Sequence, residues 1–143
     1  PRAERQKTHL AFVLLDLDYF KEVNDAFGHL GGDKALIALS NLLQEFTRVG
    51  DYAFRYGGEE FMILMTNIHI KDACKRAEEL RAATRRLAIS HKGKMISLTT
   101  SIGVASYPQH GRSGESLLLA VDDALYQAKD LGRNKVIIYQ PQA

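Results

Sequence analysis

Apolar positions in this chain follow two rhythms, a near-continuous one typical of buried strands and a three-to-four-residue one typical of helices. "LAFVLLDL" (10 to 17) is a short apolar run, rich in Val, Phe and Leu, that predicts a buried strand ending in Asp16 and Asp18. From Phe20 to Thr47 the spacing turns helical, with Leu36, Leu39, Leu43 and Phe46 on one stripe. "GHLGGD" (28 to 33) interrupts it, so a short helix, a loop and a longer helix are expected. "YAFRY" and "FMILMT" flank "GGEE", predicting a β-hairpin whose tight turn uses glycines for positive φ. Residues 70 to 88 place Ile70, Cys74, Ala77, Leu80 and Leu87 at helical spacing. "HKGKMISLTTSIGVASY" carries a Lys-Gly turn and a β-branched run, a hairpin or extended strand pair. "ESLLLAVDDALYQAKDL" reads as a final helix stopped at Gly132, and "KVIIY" as a closing strand. The order β-α-α-β-β-α-β-α-β indicates an α+β fold: a ferredoxin-like βαββαβ palm core, its antiparallel central sheet covered by helices.

Composition narrows the class. The 143 residues, 45% of them hydrophobic, suffice for one domain with a full core and not for two. Nineteen basic and 17 acidic residues are mixed along the chain, which argues against a nucleic-acid-binding stripe. Cys74 is the single cysteine, so no internal disulfide forms; it is read as core packing, and a reducing, cytoplasmic compartment is expected. No run is long enough for a membrane span, and residues 1 to 10 carry no signal-peptide core, so no membrane contact by this domain is expected. A chain that begins at Pro1 is expected to be a piece of a longer protein, which itself can be membrane-anchored.

The acidic residues suggest chemistry. Asp16 and Asp18 are two apart on a strand and share a face, whereas Glu59 and Glu60 point to opposite sides, so one of that pair is expected to join Asp16. Such a carboxylate pair beside a glycine turn suits Mg²⁺, which leaves several positions to water and phosphate. The plainer reading is an ordinary Gly-Gly turn with a solvated strand end, and Asp18 is read as a helix N-cap, not a metal ligand. "GHLGGDK" lacks the glycine before the lysine and the following Ser or Thr of a P-loop. His9, His29, His69, His91 and His110 show no zinc-ligand spacing.

Taken together, "LLDLDYFKEVNDAFGHLGGDKAL", "RYGGEEF", "TSIGVA" and "DDALYQAKDLGRNKV" resemble, in order and separation, the GGDEF domain of diguanylate cyclases, with the signature in its GGEEF form. The resemblance implies a single catalytic domain over residues 1–143 that joins two GTP molecules into cyclic di-GMP, releasing two pyrophosphates with the help of Mg²⁺ or Mn²⁺. It further implies metal ligation by Asp16, Glu59 and the Leu17 carbonyl, with Glu59 also accepting the proton of the attacking 3′-hydroxyl. Lys21 matches a transition-state-stabilising position, Asn24 and Asp33 match guanine-binding positions, and Lys129 and Arg133 match phosphate contacts. Without the family, Lys129 and Arg133 pass as cations at a helix C-terminus.

The reaction is two-fold symmetric, so two domains are expected to meet as a homodimer, brought together by an upstream sensory or dimerisation module. "RVGD" matches the family's RxxD inhibitory site, with five residues between Asp51 and Gly57, which implies that Arg48 and Asp51 bind the product; a surface ion pair is the alternative. The helper arginine expected on the next helix is replaced by Glu79, with Arg76 and Arg81 nearby. The family's "DxLTGLxNR" opening is missing from residues 1 to 10. Rival readings are a domain that holds GTP or cyclic di-GMP without turnover, a structural oligomerisation module, and a palm with other nucleotidyl chemistry such as an adenylyl cyclase.

Overall fold

The computed structural model describes residues 9–141. The expectations about a signal peptide and about the "DxLTGLxNR" opening fall largely on residues 1–8, outside the described ones. Strand β1 (Leu10–Leu17) is followed by helix α1 (Phe20–Phe46), the hairpin β2 (Tyr52–Arg55) and β3 (Glu60–Thr66), and helix α2 (Ile70–Arg85). A small hairpin, β4 (Ile89–His91) and β5 (Lys94–Ile96), precedes β6 (Thr100–Tyr107), α3 (Gly114–Asp130) and β7 (Val136–Ile138). The main sheet has the order β2-β3-β1-β6-β7. Every pairing in it is antiparallel except β6 with β7. Strands β1, β2, β3 and β6 with α1 and α2 form the expected βαββαβ core, and α3 and β7 extend it.

Strand β1 is central and buried on both faces, which is why its sequence is a run and not an alternation. Val13, Leu15 and Leu17 pack with Leu36, Leu39 and Leu43 of α1 and Ala77 and Leu80 of α2. Leu14 packs on the opposite face with Leu117, Val121 and Leu125 of α3. Each fully buried leucine of this kind stabilises the fold by roughly 1.5–3 kcal/mol relative to exposure.

Several expectations are corrected. The loop between two helices shrinks to one residue, Gly28 (φ 75, ψ 173), which kinks α1 so that His29 to Asp33 are helical. Residues of "GGEE" do not use positive φ: among the described residues the left-handed glycines are Gly28, Gly50, Gly93 and Gly132. Gly57 instead clears space beside Glu60 Oε1, where a Cβ would approach to 2.9 Å. The buried face of α2 is Ala73, Ala77, Leu80 and Thr84, which leaves Cys74 only half-buried. Asp18 is not an N-cap. Tyr19 holds that position in the left-handed region (φ 57) with no side-chain cap, and the Asp18 carboxylate turns inward. The reason is competition: Thr99, Ser101 and Asn134 offer it three donors in the interior.

Candidate active site

The C-terminal end of β1 meets the β2–β3 turn because the two strands pair in a register that sets Asp16 opposite Glu60. The Leu17 N–H reaches the Glu59 carbonyl at 3.4 Å and continues that contact one residue further. Asp16 is 5% exposed; Thr100 Oγ1 donates to its backbone carbonyl at 2.7 Å. Its carboxylate Oδ2 accepts from Lys129 Nζ of α3, while Oδ1 is buried without any partner. A buried oxygen with no donor is costly in itself, and a bound cation would satisfy it.

Electrostatics agree. Burial, and then the approach of Asp18, push the Asp16 carboxyl above its ordinary range even though Lys129 pulls the other way. Glu59 and Glu60 are raised by burial and by Asp16. Mutual repulsion among carboxylates is what a divalent cation relieves. Among the described residues no three acidic, histidine or cysteine side chains cluster closely enough to hold a metal by themselves. Asp16 and Glu59 could hold an ion that leaves its remaining positions to backbone, water and phosphate.

Two open clefts adjoin at Glu59 and Phe20. The first, about 240 Å³, is lined by Asp16, Leu17, Lys21, Glu59, Lys129 and Arg133 among others. The second, about 320 Å³, is lined by Asn24, Asp33, His29, Arg55, Gly58 and their neighbours. Thus the residues expected to contact metal and phosphate share one cleft, and those expected to contact the base share the next. The Gly28 kink folds α1 back so that Gly32 lies against Asn24, close enough that any Cβ would overlap Asn24 Oδ1. Asn24 and Asp33 thereby line the same cleft although nine positions separate them in the chain.

Residues matching the family's "Diguanylate cyclase, GGDEF domain" pattern run from 1 to 135. The chain belongs to the GGDEF family. It is 38% identical over 133 residues to Diguanylate cyclase A of Treponema denticola, covering 93% of this chain and 36% of that protein. Superposition on the GGDEF domain of YfiN (TpbB) from Pseudomonas aeruginosa gives a TM-score of 0.91 at 31% identity, over 99% of this chain and 88% of that one. The GGDEF domain of DgcB from Caulobacter crescentus, solved in complex with cyclic di-GMP, gives 0.88 at 30% identity, over 96% and 81%. The chain spans about a third of the length of the curated relatives it matches. Nucleotidyltransferase-type cyclases make up this family, and their activity generally depends on a divalent metal. Among the described residues no helix of this GGDEF domain is long and apolar enough to cross a membrane.

Arg48 and Asp51 lie in neither cleft; they sit where β2 begins, at the end of the hairpin away from the turn. Arg48 is 52% exposed on its side chain and Asp51 only 1%. Asp51 accepts from Thr66 N at 3.1 Å and Arg76 Nη1 at 2.9 Å. Arg48 adds two longer bonds, from its N–H and Nε. Burial alone would raise this carboxyl, but the Thr66 and Arg76 donors outweigh it and hold it below its ordinary value. Arg81, the other candidate helper, is engaged with Glu78 and Asn134.

Sequence reasoning passed over Arg55, whose guanidinium donates to the carbonyls of Gly57 and Gly58 and lines the second cleft. An arginine two positions ahead of a glycine pair was the available signal. It also passed over Phe20, which lines both clefts.

Proposed function

We propose that this domain is a diguanylate cyclase, condensing two GTP into cyclic di-GMP with release of two pyrophosphates. The observation that carries the reading is the pair of clefts meeting at Glu59, one with an amide and a carboxylate, the other with Lys21, Lys129 and Arg133. Guanine presents donors and an acceptor that Asp33 and Asn24 complement, and a triphosphate needs the three cations. In the reaction, each 3′-hydroxyl oxygen bonds to the partner's α-phosphorus as the bond to the bridging oxygen of pyrophosphate breaks. Glu59 takes the hydroxyl proton, a role its raised affinity for protons favours. Lys21, Lys129 and Arg133 offset the charge that spreads over the phosphate oxygens. Mg²⁺ or Mn²⁺, held by Asp16, Glu59 and the Leu17 carbonyl, supplies further charge neutralisation when bound. The Glu59-for-Asp exchange in the signature keeps the carboxylate.

One domain holds one GTP, so a C₂ homodimer is required for turnover, and sequence upstream of this chain is the natural source of that pairing. Product binding is proposed at Arg48 and Asp51, where the exposed Arg48 fork suits guanine O6 and N7 and Arg76 stands behind Asp51. The rival, a domain that binds guanine nucleotides without turning them over, is separated by one assay. Protein fused to a coiled coil is incubated with GTP and Mg²⁺, and the cyclic dinucleotide is sought by mass. Unfused protein should show specific activity that rises with concentration; constant activity from a demonstrated monomer would sink the two-domain scheme.

A further inference from the structure

Asp18 is the one carboxylate at the cleft whose oxygens are fully served by protein donors. It is 4% exposed, and Oδ1 accepts from Ser101 Oγ at 2.6 Å. Oδ2 accepts from Thr99 Oγ1 at 2.7 Å and from the backbone N–H of Asn134 at 3.0 Å, and the Asp18 N–H donates to the Thr99 carbonyl at 2.9 Å. The donors come from the start of β6 and from the loop joining α3 to β7, which carries Arg133.

That loop needs holding. Arg133 (φ 66) and Asn134 (φ 50) are consecutive left-handed residues, and neither is glycine. Each such residue costs on the order of 1 kcal/mol and persists only where surrounding contacts fix it. The Arg133 N–H is fixed by the Ala128 carbonyl at 2.9 Å, and Asn134 by Asp18 on its N–H and Arg81 on its side chain. Arg133 in turn lays its guanidinium 4.9 Å from the ring centre of Tyr19, the left-handed residue that follows Asp18. Asp18 thus joins the two left-handed turns that face each other across the phosphate end of the cleft.

We infer that Asp18 is a positioning residue for triphosphate capture: it locks the Arg133 loop against the end of β1, so that Arg133 meets the phosphates pre-aimed. This rests on the proposed phosphate role of Arg133. It also runs against simple electrostatics, since removing a negative charge beside a phosphate site should tighten triphosphate binding, whereas loss of the lock should weaken it.

The test compares 3′-deoxy-GTP, which binds but lacks the nucleophile, with 3′-deoxyguanosine. Asp18→Ala should weaken the triphosphate by about tenfold and leave the nucleoside within about twofold, because ordering an arginine is lost and the base cleft is untouched. Asp18→Asn should restore affinity to within about threefold, its Oδ1 accepting from Asn134 and Thr99 while its amide donates to Ser101. On an Arg133→Ala background, Asp18→Ala should have no further effect. Equal losses for nucleoside and triphosphate, tighter triphosphate binding, or an undiminished loss without Arg133 would each overturn the assignment. Should Asp18→Ala not fold, Thr99→Val removes one donor to the same carboxylate, and absence of any triphosphate-selective loss there is equally fatal. Arg133→Ala that binds the triphosphate as the wild type does would instead remove the phosphate reading of Arg133, and this inference with it.

Discussion

Lys129 and Asp16, 113 positions apart, form an ion pair at the cleft in which the lysine serves only one oxygen of the carboxylate. The other oxygen is buried without a partner, and the Asp16 charge raises the carboxyls of Glu59 and Glu60. All three carboxyls are raised in the folded protein, so between their ordinary and raised values the folded state binds more protons than the unfolded one. Their contribution to metal-free stability is therefore fullest below the ordinary carboxylate range and is lost as pH rises through the raised values. A cation requires the ionised forms and reverses this. The rise in Tm caused by Mn²⁺ should therefore shrink as pH falls through the carboxylate range. An equal rise throughout that range would mean that these carboxylates do not bind the ion.

Glu59 stands at the junction of the clefts and only partly buried. Glu59→Gln keeps the side-chain volume and removes the charge, so product formation should fall by about a hundredfold or more, the usual scale for a lost general base. Tm without metal should hold or rise slightly, since a raised carboxylate is lost. Near wild-type cyclase activity with metal bound would exclude Glu59 as ligand and as base.

Gly32 lies against the carboxamide of Asn24. Gly32→Ala drives a methyl into the Asn24 carboxamide, which must turn away at little cost in stability. GTP affinity should fall more than that of inorganic triphosphate, because the displaced group serves the base and not the phosphates. Parallel losses for both ligands, read by calorimetry, would remove Asn24 from base recognition.

The Arg48 and Asp51 pair is asymmetric: a half-exposed arginine and a buried carboxylate. Asp51→Ala leaves the Thr66 N–H and the Arg76 Nη1 without their acceptor and should destabilise the domain by about 2–4 kcal/mol. Its folded pKa is lowered, so its stabilisation is full above the ordinary value and disappears as pH falls through the folded one. Arg48→Ala should leave stability and initial rates unchanged while removing the slowing that accompanies product accumulation. If product slows both proteins identically, Arg48 and Asp51 serve structure alone.

Local pattern carried much of this domain. A two-face-buried strand must be apolar throughout, so β1 was legible as a run, and α1 was legible in the stripe of Leu36, Leu39 and Leu43, whose spacing is the helix period itself. Motifs put Asp16 at a strand end, Glu59 in a hairpin turn, Asn24 on a helix and Lys129 and Arg133 at a helix end, whereas Asp33, expected in a loop, lies within α1. Tertiary structure decided what no window of sequence contains. Asp18 looked like a cap, since capping is the best use of a lone carboxylate before a helix; three donors from distant segments offered a better one. Asp51 read as a product-binding carboxylate, with a surface ion pair as the alternative, and only the packing of α2 brings Arg76 to it. Gly57 and Gly58 suggested positive φ, but their turn is shaped by Arg55 gripping its carbonyls. Periodicity is set by a residue's own neighbours along the chain, and so it is written there. A hydrogen-bond partner 81 or 116 positions away is selected by how the elements stack, and only the folded chain contains that information.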